Sequence, residues 1–253
     1  MKIGISALLY NLKEALDLCE REKSIEHIEL GIDNLEECKF LYKYKHRIKA
    51  LNLSIGIHLP MELNTCENIN YIKESWQKFI LNVGEELTEF NICYFNLHLG
   101  YVISDRLKKN RDKYLELSSN FLNEVIDNTD TDIYIENVYS KGGDFSNVGN
   151  IVSDFEYIFN KVGKNNLKFC YDTGHNLLDS DEYINKLKSK IKLVHLSDND
   201  GIDDIHIGIG KGILSKSHIK EVLELNLHYL ILEINYKHIE DSIKKLGDII
   251  EEV

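Results

Sequence analysis

The chain alternates between two periodicities, and this alternation constrains its fold more than any single residue does. Eight runs are apolar at every second position or nearly throughout: KIGISAL from Lys2, HIELGID from His27, LSIGIHL from Leu53, YFNLHLG from Tyr94, DIYIENV from Asp132, LKFCYDT from Leu167, KLVHLSD from Lys192 and YLILEIN from Tyr229. Successive side chains of a strand point to opposite faces, so these runs read as strands. Between them lie stretches such as NLKEALDLCEREK, YIKESWQKFILNVGEELTEF and RDKYLELSSNFLNEVIDN, and HIEDSIKKLGDIIEEV closes the chain. Their apolar residues recur at helical spacing. Strands separated by helices pair in parallel through right-handed crossovers, and eight such units in 253 residues predict an α/β fold of the (β/α)8 barrel type. No linker or low-complexity stretch divides residues 1–253, which implies a single domain. An open doubly wound sheet is the alternative. It is disfavoured because the first strand runs into ISALLYNLKEAL with no GxGxxG turn, and no GxxxxGK[ST] loop occurs anywhere. Gly208, Gly210 and Gly212 follow a loop and read as turn glycines.

Six runs end in residues able to bind a metal. These are IGIHLP with His58, FNLHLG with His98, IYIENV with Glu136, FCYDTGH with Asp172 and His175, KLVHLSDN with His195, and YLILEIN with Glu233. A closed parallel barrel brings the carboxyl ends of all its strands to one rim, where these groups would meet. Glu136, Asp172, His195 and Glu233 lie on the inferred fifth to eighth strands, adjacent around the barrel, and can surround one ion. Carboxylate and imidazole suit Mn²⁺, Zn²⁺, Co²⁺ or Mg²⁺. Three buried carboxylates with no cation would be costly. His58, His98, His175, Asp204 and His206 form a second set that raises the capacity from one ion to as many as three. Asp204 lies in SDNDGIDD, which reads equally well as a solvated acidic loop. His27, His46, His218, His228 and His238 fall at strand starts or on helices and read as structural or exposed. Asn137, Tyr139 and Lys211 adjoin the candidate ligands, either to touch substrate or to support the ligands. Pro60, the chain's one proline, stiffens the loop after His58 or simply ends the strand.

Charge and cysteine usage narrow the function. The formal net charge is −12 and only Arg21, Arg47, Arg106 and Arg111 supply guanidinium groups, which opposes binding to a polyanion such as nucleic acid. Cys19, Cys38, Cys66, Cys93 and Cys170 are scattered, odd in number and never in a CxxC pair, so reduced, mostly buried thiols are expected. No apolar run approaches the roughly 20 residues that span a bilayer, and the first residues lack a small-residue cleavage site. A cytoplasmic location is the expectation.

YDTGH at Tyr171–His175 and HLSDNDGIDDIHIGIGKG at His195–Gly212 are similar to the DTGHA and HLHDNDG…D-x-H-x-x-x-G-x-G signatures of the xylose-isomerase-like TIM-barrel superfamily, and IENV and LEIN supply its two acidic positions. The resemblance spans essentially the whole chain. That superfamily holds sugar-phosphate isomerases and epimerases together with the endonuclease IV group of apurinic-site nucleases. For an isomerase the resemblance implies Glu136 and Glu233 as proton-transfer residues and metal ligands, with Asp172 and His195 completing the ligand set. For a nuclease it implies three zinc ions held by His58, His98, Glu136, Asp172, His175, His195, Asp204, His206 and Glu233, and all nine positions match. The loops GIDNLEECKF and LPMELNTCEN are acidic and lack arginine, which would repel DNA. The expectation is therefore an isomerase or epimerase acting on a sugar, keto-sugar or related polyol. An apurinic-site phosphodiesterase is the alternative, and a non-catalytic binding scaffold is third.

Overall fold

The computed structural model describes residues 1–252. Its strands are β1 (Lys2–Leu8), β2 (Ile25–Gly31), β3 (Ser54–His58), β4 (Tyr94–His98), β5 (Tyr101–Ile103), β6 (Asp132–Glu136), β7 (Phe145–Asn147), β8 (Leu167–Asp172), β9 (Ile191–Leu196) and β10 (Tyr229–Leu232). Eight close into a parallel barrel in the order β1-β10-β9-β8-β6-β4-β3-β2, while β5 and β7 form a separate antiparallel pair. All eight barrel strands coincide with the runs read from sequence. The β5–β7 pair does not, because two three-residue strands are too short to show a period.

The helices are α1 (Leu12–Arg21), α2 (Leu35–Leu41), α3 (Lys45–Ala50), α4 (Asn70–Glu86), α5 (Ser104–Ile126), α6 (Val152–Val162), α7 (Thr173–Leu178), α8 (Tyr183–Leu187), α9 (Lys216–Leu223) and α10 (Ile239–Ile250). Helix α5 begins seven residues before the expected Arg111, and its φ/ψ of −141°/38° at Asn110 mark a kink between two helical pieces. SDRLKKN carries one apolar residue, so its first piece gave no periodic signal. No helix among the described residues is long and apolar enough to cross a membrane.

Alternation along the strands builds two cores. Outward-facing residues such as Ile28, Leu30, Ile57, Leu97, Ile135, Phe169, Val194 and Leu232 pack under the helices in a continuous apolar annulus. The inward-facing Tyr94, Tyr134, Cys170, Leu193 and Ile231 form a smaller cluster inside the barrel. The Tyr94 ring occupies space that any Cβ at Gly56 would take. Above that plug, toward the carboxyl ends of the strands, the inward positions turn polar. The five cysteines are all free, four of them buried and Cys93 half-buried, as expected.

Candidate metal centre

Glu136 ends β6, Asp172 ends β8, His195 lies one residue before the end of β9 and Glu233 follows β10. Each offers a ligand atom, and these atoms all lie within 4.8 Å of one another. His195 is the hub. Its Nδ1 is 2.9 Å from Glu233 Oε2, 3.4 Å from Glu136 Oε1 and 3.8 Å from Asp172 Oδ2.

The five additional residues read from sequence converge on the same rim in two further groups. His58 Nε2 and His98 Nε2 lie 3.5 and 3.4 Å from the two oxygens of Glu136. On the other side, His175 Nε2 and His206 Nε2 lie 3.3 and 3.2 Å from Asp204 Oδ2. Asp204 is thus an inward member of the site, whereas its neighbours Asp200 and Asp203 are exposed loop acids. Three rings share one orienting device: the Nδ1–H of His58, His175 and His206 donates to the carbonyls of Leu59, Asn137 and Glu233 at 2.8, 2.8 and 2.9 Å. With Nδ1 committed, Nε2 is the nitrogen that each ring turns toward the cluster.

The loop after β9 is built from within. Buried Asp198 accepts from the backbone N–H of Asn199 and Leu214 through Oδ1, and from those of Lys211 and Gly212 through Oδ2, at 2.8–3.1 Å. His206 sits in the left-handed region at φ 45°, an uncommon conformation for a side-chain-bearing residue and one that aims its ring at Asp204. Gly174 is required for a different reason: a Cβ there would run into Ser197 Oγ and press on Asp172 Oδ1 at 3.2 Å. The DTGH turn lets Asp172 serve twice, since its Oδ1 also caps α7 by accepting from His175 N at 2.6 Å.

Burial opposes charge on every one of these groups, and the partners decide the outcome. Against burial, Glu136 holds His58 up at about 9, and Asp172 and Asp204 hold His175 up at about 10. His206 is likewise raised to about 9 by Asp204 and Glu233 despite burial. Glu136 lies well below the usual carboxylate range, because the charges of His195 and His98 overcome burial, and Glu233 falls to about 2 beside His195. Asp172 goes the other way, pushed up to about 7 by burial together with the charges of Glu233 and Glu136.

Four buried polar atoms of the site, His98 Nε2, Asp172 Oδ2, His195 Nδ1 and Asp204 Oδ1, have no hydrogen-bond partner. An unpaired buried polar atom costs about 1–3 kcal/mol, and four of them converging among nitrogen and oxygen donors fit a divalent cation. His195 Nδ1 is only 2.9 Å from Glu233 Oε2, yet the alignment is wrong for a hydrogen bond. Two ligand atoms directed at a common point, rather than at each other, would give this arrangement.

Two buried residues that sequence reading passed over support the site. Asn96 Nδ2 donates to Glu136 Oε2 at 2.6 Å, and Glu29 on β2 lies 2.8 Å from His195 Nε2. Strand parity could have found both, since Asn96 shares a face with His98 and Glu29 shares one with Gly31, opposite His58. Of the residues adjoining the ligands, Asn137 is fully engaged with the backbone N–H and carbonyl of Asp172, at 2.7 and 3.0 Å, and does not face the cleft. Tyr139 packs against His175 with its ring tilted by 44° and the ring centroids 5.4 Å apart, and Lys211 Nζ lies 2.9 Å from His238 Nδ1. The remaining histidines are structural or exposed, His27 being fully buried and His228 exposed.

An eight-stranded parallel barrel with acids and imidazoles gathered at the carboxyl rim defines the class of protein. Residues 36–252 match the family described as xylose isomerase-like TIM barrel, and the chain belongs to that family. It is 28% identical to an uncharacterised protein of Methanocaldococcus jannaschii, over 95% of each chain. It is 24% identical to a probable endonuclease 4 of Ureaplasma parvum serovar 3, over 83% of this chain and 73% of that one. The crystal structure of a D-tagatose 3-epimerase-like protein superposes with a TM-score of 0.85 at 20% identity, covering 100% of this chain and 98% of that one, which extends the likeness of fold to its full length.

Proposed function

We propose that the protein is a divalent-metal-dependent isomerase or epimerase acting on a sugar, keto-sugar or related polyol by proton transfer next to a carbonyl. One observation carries this reading: Glu136 and Glu233, two carboxyl groups of a single four-residue ligand set, both line an open cleft of about 930 Å³ at the barrel mouth. The cleft has room for a monosaccharide, and Ser6, Tyr10, Asn11 and Tyr236 along its wall offer hydroxyl and amide partners for sugar hydroxyls. Glu136, Asp172, His195 and Glu233 would hold the ion, which supplies polarisation of the substrate carbonyl and adjacent hydroxyl. Glu136 and Glu233 are held ionised at neutral pH by the surrounding imidazoles and can accept a proton. One glutamate takes the proton from the carbon beside the carbonyl, and the other returns a proton to that carbon or to its neighbour. Asn96 holds the Glu136 carboxylate in place for this exchange. A small carbohydrate is accordingly the proposed partner.

The two outer groups, His58–His98–Glu136 and His175–Asp204–His206, favour a second reading, metal-dependent cleavage of a phosphodiester at an abasic site. The charge of the cleft weighs against it. Apart from the candidate ligands, Glu14, Glu29, Asp33, Glu240 and Asp241 outnumber the lining cations Arg21 and Lys237, and Arg21 lies 3.4 Å from Glu240. A DNA backbone would meet a repulsive wall.

The deciding experiment incubates purified, metal-loaded protein with a panel of ketoses and keto-sugars in D2O and follows deuterium uptake by NMR. The expected result is exchange at the carbon next to the carbonyl, abolished by a chelator. No exchange across the panel, together with chelator-sensitive incision of a duplex bearing an abasic site, would overturn the isomerase reading in favour of the nuclease.

A further inference from the structure

The barrel interior carries a continuous file of polar side chains that ends on the hub of the site. Lys2 Nζ donates to Ser54 Oγ at 3.0 Å, near the amino ends of the strands. Ser54 Oγ lies 2.8 Å from His27 Nδ1, and His27 Nε2 lies 3.0 Å from the Tyr94 hydroxyl. The Tyr94 O–H donates to Glu29 Oε2 at 2.8 Å, and Glu29 Oε1 lies 2.8 Å from His195 Nε2. His27, Tyr94 and His195 show no exposure, and Glu29 is 2% exposed.

Donor and acceptor roles along this file are fixed by elimination. Burial pushes His27 down to about 3, so it is neutral with a single N–H. Tyr94 gives its hydroxyl hydrogen to Glu29, so its oxygen accepts the His27 Nε2–H, leaving Nδ1 to accept from Ser54 Oγ, which lies closer to it at 2.8 Å than to its other acceptor, the Glu26 carbonyl, at 3.2 Å. At the far end, Asn96 Nδ2 also comes within 3.4 Å of His195 Nε2, but it is itself a donor and is already committed to Glu136 at 2.6 Å. Only Glu29 can accept a hydrogen from His195 Nε2.

We propose that Glu29, held by Tyr94, is a positioning residue that takes the Nε2–H of His195 and so fixes Nδ1 as the nitrogen presented to Glu136, Asp172 and Glu233. His195 then differs from His58, His175 and His206, whose Nδ1 atoms are spent on carbonyls and whose Nε2 atoms face the cluster. The ring is the reversed member of the set, and a buried carboxyl group replaces the backbone carbonyl as its anchor. Such outer partners set ring orientation and ligand strength, and removing one typically lowers metal affinity 10–100-fold. Tyr94 keeps Glu29 from turning away, and Gly56 leaves room for the Tyr94 ring.

The inference rests on the metal-dependent reading for its affinity arm but not for its spectroscopic arm. The test compares the unaltered protein with Glu29→Gln and Tyr94→Phe, two near-isosteric variants. In the metal-free protein, NMR of ring nitrogens should show a slowly exchanging, downfield Nε2–H for His195, shifted upfield in Glu29→Gln and by less in Tyr94→Phe. Chelator competition with Mn²⁺ or Zn²⁺ should show about 10–100-fold weaker binding for Glu29→Gln and an intermediate loss for Tyr94→Phe. An unchanged His195 signal in both variants overturns the proposal, as does unchanged affinity where the unaltered protein binds metal. If the unaltered protein binds neither ion, the functional reading fails while the NMR comparison still decides the Glu29–His195 contact.

Discussion

The two faces of the same eight strands solve opposite problems. The outward face meets helices, and each residue there, from Ile28 to Leu232, is buried against other hydrocarbon. The inward face has an apolar plug of only five residues, and its polar positions include Glu29, Asn96, Glu136, Asp172 and His195 with almost no access to solvent. The annulus gains free energy from apolar area removed from water, whereas the interior must desolvate ionisable groups and recover the cost through pairing. The apolar core and the candidate site are therefore carried by alternate residues of one strand.

The sharpest way to break that division is to perturb each face separately. Glu233→Gln keeps the shape of a rim residue and removes one of the two proposed proton-transfer groups, so kcat should fall about 10³-fold while the thermal midpoint stays within a few degrees. A variant that retains full activity would dissociate the interior from catalysis. Phe155→Ala is the mirror experiment. Phe155 is fully buried on α6 with its ring 4.7 Å from that of Phe169, and truncation should cost about 3–5 kcal/mol in denaturant unfolding, with kcat of the folded fraction unchanged. A loss of kcat equal to that of Glu233→Gln would show the two faces to be coupled.

Metal addition is expected to act on the interior alone. At a concentration 100 times its Kd, a divalent ion that binds only the folded state adds about 2.7 kcal/mol, which for a chain of this size raises the midpoint by roughly 5–10 °C. Differential scanning calorimetry with Mn²⁺, Zn²⁺, Co²⁺ and Mg²⁺ checks this, and no shift with any of them would remove the cation from the account.

A smaller effect belongs to the file beneath the site. His27 in the folded protein is held at about 3 by burial, against its ordinary 6.5. The unfolded chain therefore takes up the proton first as pH falls. The stability contributed by neutral His27 is complete above pH 6.5 and is lost progressively from there down to about 3, with a slope of at most ~1.4 kcal/mol per pH unit. Comparing urea unfolding of the protein and His27→Gln between pH 7 and 4 should give a shallower slope for the variant; equal slopes would mean that His27 is protonated where it stands.

Much of this was legible in the linear chain for a local reason. A strand's period of two and a helix's 3.6 are written within windows of a dozen residues, so the eight barrel strands and the principal helices could be read directly. The parity that puts Ile57 outward puts His58 inward, and strand ends share a rim in any closed parallel barrel. The convergence of His58, His98, Glu136, Asp172, His195 and Glu233 thus follows from alternation and closure. Helix α5 began earlier than expected because its first turns bury little, and the β5–β7 pair was too short to repeat.

The sequence by itself determined which side chains face inward and which strand ends carry them. Only the tertiary structure decided how they are partnered: that Asp204 and His206 join His175 rather than solvent, that Asp198 gathers four backbone N–H groups, and that Glu29 meets His195 across the barrel. Facing direction is a property of one strand and its neighbours in sequence. Partnership depends on register, tilt and loop closure summed over residues 166 positions apart, as Glu29 and His195 are, and no local pattern encodes that sum.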